Sequence, residues 1–147
     1  MEIVVNSSPL ILLAKIGRLA LLGCVASKVY IPCAVMDEVR GLDLREVPHS
    51  LLRVSNRQLV ISMLGALHLG EVEVIVGAME SGVRDVVLDD SLARKRAREL
   101  GLCVSGTLGV LRRARNMGFI SDLEREIMLL RANGMYISDE LVRKALL

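Results

Sequence analysis

Short apolar runs, each followed by a stretch of helical pattern, constrain this chain more than any other feature. EIVV at 2–5, KVYI at 28–31, DVVL at 85–88 and LCVS at 102–105 are brief, rich in β-branched residues and flanked by turn or capping residues. Runs of that length read as buried strands. Strands buried on both faces lose the polar–apolar alternation of half-exposed ones, as expected of a parallel sheet. Their alternation with helices predicts an α/β fold, a central parallel sheet sandwiched by helices with right-handed crossovers.

The punctuation supports this order. Ser8 followed by Pro9 reads as an N-cap with proline at the first helical position, and Gly17 ends that helix. RLALLGCVA reads as a second short helix, and Pro32 opens AVMDEVRG, which stops at Gly41. Between Leu42 and Asn56 a loop leads to a short strand around LLRVS or QLVI. From Met63 a helical pattern begins that Gly70 breaks, and EVEVIVGAMESG forms a further helix ending at Gly82. SLARKRARELG stops at Gly101, and Thr107 is placed to cap a helix through Arg115. Ser121 to Glu124 reads as a capping box, and Ser138 starts a last helix with acids in its first turn. With 147 residues, no repeat and no linker-like stretch, one domain spanning 1–147 is expected.

Composition removes several function classes. Although 52% of residues are hydrophobic, no run approaches the ~18 uninterrupted apolar residues of a membrane span. The first residues lack the basic start of a signal peptide. The 3 cysteines, Cys24, Cys33 and Cys103, form no CxxC pair and read as buried free thiols of a cytoplasmic protein. His49 and His68 have no histidine partner nearby, which argues against zinc. A net charge of +2 proves no nucleic-acid partner. Yet Arg94, Lys95, Arg96 and Arg98 cluster, as do Arg112, Arg113 and Arg115. From charge alone, phosphate binding and a solvated helix face are equally open readings. Phe119, Tyr30 and Tyr136 are the only aromatic residues, so a broad base-stacking platform is not expected.

Acidic residues gather where loops should converge. Asn6 follows the first strand, Asp89 and Asp90 follow DVVL, Glu38 lies on the helix after the second strand, and Glu71 and Glu73 lie on the helix leading into DVVL. In an open α/β sheet, ligands bind at the carboxyl ends of the strands. Oxygen ligands without His or Cys suit a hard ion such as Mg²⁺ or Mn²⁺. Each residue also has a plainer reading. Taken alone, Glu38 reads more readily as a solvent-facing helix residue, and Asp89-Asp90 reads equally as a helix cap. Glu71 and Glu73, two apart, point about 200° from each other on a helix, so at most one faces a shared ion.

Six stretches, taken together and in order, resemble the PIN-domain ribonucleases, in particular PIN-like proteins related to VapC-type toxins of prokaryotes. They are VVNSSPLILLAKIG, KVYIPCAVMDEV, LGEVEVIVGA, VVLDDSLARKRARELGL, SGTLGVLRRARNMGFI and GMYISDELVRKALL, and they cover nearly the whole chain. The resemblance implies a PIN-like fold and a Mg²⁺- or Mn²⁺-dependent RNA phosphodiesterase. It places the site at Asn6, Glu38, Glu71 or Glu73, and Asp89 or Asp90, with Glu38, Glu73 and Asp90 as metal ligands and Thr107 as a candidate hydroxyl. Arg94, Lys95 and Arg112 become candidates for holding the RNA backbone. An antitoxin-like partner is implied as well.

The departure is Asn6, where the family carries an aspartate. The exchange keeps the shape and removes one negative charge beside the expected ion. A naturally weakened or inactive member, and an aspartate changed deliberately to disarm a nuclease, are both consistent with it. Two functions are therefore carried forward: a weakened endoribonuclease of the kind that serves as a toxin, and an inactive module that binds RNA or an antitoxin-like partner. The apolar segment LILLAKIGRLALL is the expected homodimer surface, if it is not core.

Overall fold

The computed structural model describes residues 1–147. Five strands, β1 (Glu2–Val5), β2 (Lys28–Pro32), β3 (His49–Leu52), β4 (Asp85–Val87) and β5 (Cys103–Ser105), form one sheet in the order β3-β2-β1-β4-β5. Every pairing is parallel. Ile3, Val4 and Val5 are successive and all buried, so both faces of the central strand are covered. The fold is the α/β architecture, a central parallel sheet covered by helices, that the strand–helix alternation predicts.

Nine helices connect and cover the strands: α1 (Ser7–Lys15), α2 (Leu21–Val25), α3 (Cys33–Glu38), α4 (Arg57–Met63), α5 (Leu69–Ser81), α6 (Ser91–Glu99), α7 (Thr107–Asn116), α8 (Leu123–Ala132) and α9 (Asp139–Leu146). Helix α5 is buried all round from Val72 to Ala78 and lies against β1, β2 and β4, with α3 and α4 beside it. That is why its sequence has no polar face there. It ends at Gly82, whose φ of 72° is a left-handed cap that glycine adopts without a Cβ penalty. Helix α7 packs against α2, α8 and α9. One hydrophobic cluster of 39 buried residues joins the two helical groups through the sheet.

The topology fixes where a site can form. From β1 the chain lays β2 and β3 to one side, then crosses back to lay β4 and β5 on the other. The order therefore switches between β1 and β4, and the loops leaving their carboxyl ends diverge and open a crevice. Val5 is in register with Val87, so Asn6 and the Leu88–Asp90 turn emerge side by side. The Asn6 N–H donates to Val87 O at 3.1 Å, which locks that turn in place.

Several expected boundaries move, each for a local reason. Asn6, not Ser8, is the N-cap of α1, and Ser7 and Ser8 are already helical. Pro9 then falls in the first turn, where its missing N–H is still among the four without an intrahelical partner. QLVI is part of α4 rather than a strand, with the Asn56 side chain accepting from Leu59 N at 3.1 Å. Residues 64–68 turn between two helices instead of continuing one, and Gly70 sits inside α5 instead of breaking a helix. Asp122 rather than Ser121 caps α8. All three cysteines are free, but Cys24 and Cys33 are only partly buried and Cys103 is exposed.

The LILLAKIGRLALL segment is mostly core: Leu10, Leu13, Leu19, Leu21 and Leu22 are buried. It offers no broad free face. Large exposed apolar side chains lie elsewhere, among them Ile61, Met128 and Phe119. No helix is long and apolar enough to cross a membrane.

Candidate functional site

The crevice between β1 and β4 collects most of the acidic residues singled out in the sequence. Asn6, Ser7, Ser8 and Glu71 line two adjoining cavities of about 580 and 400 Å³. The larger adds Asp89, Asp90 and Lys15, and the smaller adds Glu38 and His68.

Each carboxylate is held by a short-range partner. Ser7 Oγ donates to Glu38 Oε2 at 2.7 Å, which ties the end of α3 to the start of α1. The His68 N–H donates to Glu71 Oε2 at 3.1 Å, a contact across the first turn of α5. The Ala93 N–H donates to Asp90 Oδ2 at 2.9 Å, making Asp90 the N-cap of α6. In each case the second carboxylate oxygen is left open. Asn6 is 5% exposed, and its Oδ1 is buried without any partner. Buried polar atoms nearly always have a partner, so an orphan acceptor beside three carboxylates stands out.

Electrostatics agree. The Glu71 carboxyl is raised above its ordinary range, first by burial and then by the neighbouring charges of Asp90 and Glu38, against the opposing His68 N–H. Carboxylates that repel one another across a crevice make full ionisation of the most buried one unfavourable. Gly70 completes the cradle. A Cβ there would collide with Glu38 Oε1 and stand 3.3 Å from Asn6 Oδ1. The helix backbone must therefore approach these two side chains with nothing in between.

Asp89 plays a different part. Both its oxygens are taken: Oδ1 accepts from Thr107 N at 2.7 Å, and Oδ2 from Thr107 Oγ1 at 2.6 Å and Ser8 Oγ at 3.2 Å. It staples the β4–α6 turn to the starts of α1 and α7. Thr107 is fully buried and is the first helical residue of α7, with Gly106 as the cap. Its hydroxyl serves Asp89 rather than its own helix. Thr107→Val is expected to cost about 1–2 kcal/mol, the range for a hydrogen bond to a charged group with one acceptor contact retained. A thermal melt with the wild-type midpoint would count against that role.

Glu73 is the main correction. It is 3% exposed and turned away from the crevice, accepting from the Ala34 N–H at 2.9 Å and pairing with Arg57 Nη1 at 2.8 Å. The helical offset that brings Glu71 into the site carries Glu73 toward α3 and α4. Of the basic candidates, Arg94 and Arg112 line a neighbouring groove of about 490 Å³, but Lys95 does not. Burial and the nearby Arg98 push the Arg94 pKa down, against the opposing charge of Asp89, and its Nη1 donates to Leu88 O at 2.9 Å. Arg113 and Arg115 are spent on the carbonyls of Val25 and Leu146.

Several lining residues carry no forecast in the sequence. Ser7 and Ser8 form a polar pair straight after the buried β1 strand, and that is the sequence signal for them. Gly70 and His68 had none beyond their closeness to Glu71. Asn133 to Tyr136 reach the larger cavity from the α8–α9 connection, which only the tertiary fold brings there.

A family model described as a PIN domain matches residues 2–147. The chain belongs to the PIN-domain family. It matches no curated protein and no solved structure. PIN domains are nuclease-like modules and are generally dependent on divalent metal ions. What the crevice offers such an ion is oxygen alone: three carboxylates with one open oxygen each, and the orphan amide oxygen of Asn6. The fit is incomplete in one respect. No three His, Cys, Asp or Glu side chains converge as a ready ligand set, and Asn6 contributes an amide rather than a carboxylate.

Proposed function

We propose that this PIN domain is a metal-dependent endoribonuclease, weakened by Asn6 and of the kind that serves as the toxin of a toxin–antitoxin pair. The observation that carries the reading is the buried, unpartnered Oδ1 of Asn6, set against Gly70 and Glu38 and in one crevice with Glu71 and Asp90. Glu38, Glu71, Asp90 and the Asn6 amide would hold Mg²⁺ or Mn²⁺. Such an ion, when bound, activates water and offsets the charge that builds on a phosphodiester. The chain's own contribution is preorganisation. Ser7 fixes Glu38, the His68 N–H fixes Glu71, and the Ala93 N–H fixes Asp90, so each ligand is aimed before any substrate arrives. Lys15, exposed on the wall of the same cavity, offers a cation to an incoming phosphate.

The test is cleavage of mixed-sequence RNA in Mn²⁺, with EDTA as control, by this chain and by Asn6→Asp. The aspartate form is expected to cleave at least about tenfold faster, since even outer-shell partners of a metal change affinity or activity by about 10- to 100-fold. An aspartate form that is inert, and that binds no Mn²⁺ in a calorimetric titration, would end the enzyme reading.

Asn6 favours one second reading, a catalytically inactive PIN-like module that binds RNA or an antitoxin-like peptide through the same crevice. RNA or partner binding that is equal in Mn²⁺ and EDTA, together with no cleavage by Asn6→Asp, is its expected signature.

A further inference from the structure

Next to the acidic crevice lies a groove of opposite character. It is lined by Arg94, Arg112 and Lys144, with Met135 and Tyr136 at its rim. Asp89, Met135 and Tyr136 also line the acidic cavity, so the two spaces adjoin. Tyr136 stands at the seam with its side chain almost wholly in solvent, at 89% exposure. Its segment is nonetheless anchored on both sides, before the ring by the Met135 N–H donating to Leu130 O at 3.1 Å. The Ile137 side chain is buried and its carbonyl accepts from Arg131 Nε at 3.1 Å, and Ser138 caps α9 two residues beyond the ring. An aromatic side chain presented to water by a tethered turn, between a carboxylate site and a basic groove, is placed for a ligand that is both flat and anionic.

We propose that Tyr136, Arg112 and Lys144 form a nucleotide subsite for single-stranded RNA beside the acidic crevice, the ring stacking on one unpaired base and the two cations taking the adjoining phosphates. The inference rests on the ribonuclease reading above and adds the strand's path and its single-stranded character. Arg112 is exposed and without an ion-pair partner. Lys144 is paired only with Glu140, at 3.2 Å and in solvent, a contact weak enough for a phosphate to displace. Arg94 is held behind them by Leu88 O and shapes the groove floor. A paired base in an A-form duplex has no free face for the ring, so duplex RNA is refused at this position. The near-absence of aromatics argues against a platform for many bases and leaves room for one.

The experiment measures binding, not cleavage: fluorescence anisotropy of a short labelled single-stranded RNA in EDTA. Tyr136→Ala is expected to weaken binding roughly 5- to 150-fold, the range for loss of one base–aromatic stack, and Tyr136→Phe to keep it. Arg112→Gln should lower the slope of log affinity against log salt by about 0.7, one phosphate's worth for a single strand, whereas Tyr136→Ala leaves the slope alone. Duplex RNA of the same length should bind without any dependence on Tyr136. Wild-type affinity in Tyr136→Ala, an equal loss in Tyr136→Phe, or an equal loss on duplex RNA each overturns the subsite. If Asn6→Asp cleaves RNA while Tyr136→Ala binds as the wild type does, the subsite alone fails. If the subsite behaves as expected and Asn6→Asp is inert, the ribonuclease reading alone fails. A chain that binds no RNA at all overturns both.

Discussion

Gly70→Ala is expected to leave the fold standing and to disable the site. The added Cβ meets no backbone; it meets Glu38 Oε1, lies 3.2 Å from Glu38 Cδ and 3.3 Å from Asn6 Oδ1. Glu38 is exposed at the end of a short helix, so its carboxylate can swing away at little cost. Alanine is also the better helix former, by up to about 1 kcal/mol in a helix interior. The melting temperature should therefore stay within about 2–4 °C of the wild type, the shift that ~1 kcal/mol produces in a domain of this size. Swinging away, however, breaks the Ser7–Glu38 hydrogen bond and takes one of the open oxygens out of the crevice. A displacement of about an ångström at a reacting centre can cost about 100-fold in rate. On the Asn6→Asp background, RNA cleavage should fall by about that factor, and Mn²⁺ affinity should fall with it. A Gly70→Ala, Asn6→Asp double variant that cleaves as fast as Asn6→Asp alone would show that the close approach at Gly70 has no part in the chemistry.

How much of this could be read from the chain alone depends on whether the signal is local. The β1, β2 and β4 runs are short, β-branched and buried on both faces, so strand identity and parallel pairing follow from the residues themselves. The carboxyl-end placement of Asn6 and Asp90 follows from the same pattern, because loops after parallel strands share one edge of the sheet. What fails is local competition. Ser8-Pro9 looks like a cap, but the hydroxyls of Ser7 and Ser8 are drawn to Glu38 and Asp89, and the helix starts earlier to present them. Gly70 looks like a breaker because its reason for being glycine, the approach of Glu38 and Asn6, lies more than 30 residues away in sequence. QLVI looks like a strand because so short an apolar run, the three residues after Gln58, carries no period that separates it from a helix turn. Tyr136 is invisible as a site residue for the same reason as Gly70: its neighbours in space, Asp89 and Arg112, come from other elements.

Glu71 and Glu73 provide the sharpest separation of site from scaffold, because substitutions at the two positions should act in opposite directions. Glu73→Ala removes the acceptor of the Ala34 N–H in a buried setting and frees Arg57. An unsatisfied buried donor costs about 1–3 kcal/mol. The Arg57 side chain is half exposed, so its ion pair adds little. A loss of about 2–3 kcal/mol is expected, lowering the melting temperature by about 4–12 °C, with Mn²⁺ affinity unchanged. Glu71→Gln should do the reverse. The fold raises the Glu71 pKa, so the ionised form is the one it disfavours. That penalty is absent below the ordinary glutamate pKa of about 4.3 and sets in as pH rises through the higher folded value. At pH 7 the glutamine form should therefore melt above the wild type, and the advantage should vanish near pH 4. The same variant should bind Mn²⁺ more weakly, since an open carboxylate oxygen and its charge are gone. Melting curves across this pH range, paired with Mn²⁺ titrations, check both claims. A destabilised Glu71→Gln at neutral pH, or a Glu73→Ala that folds as well as the wild type and loses the metal, would exchange the roles assigned to the two side chains.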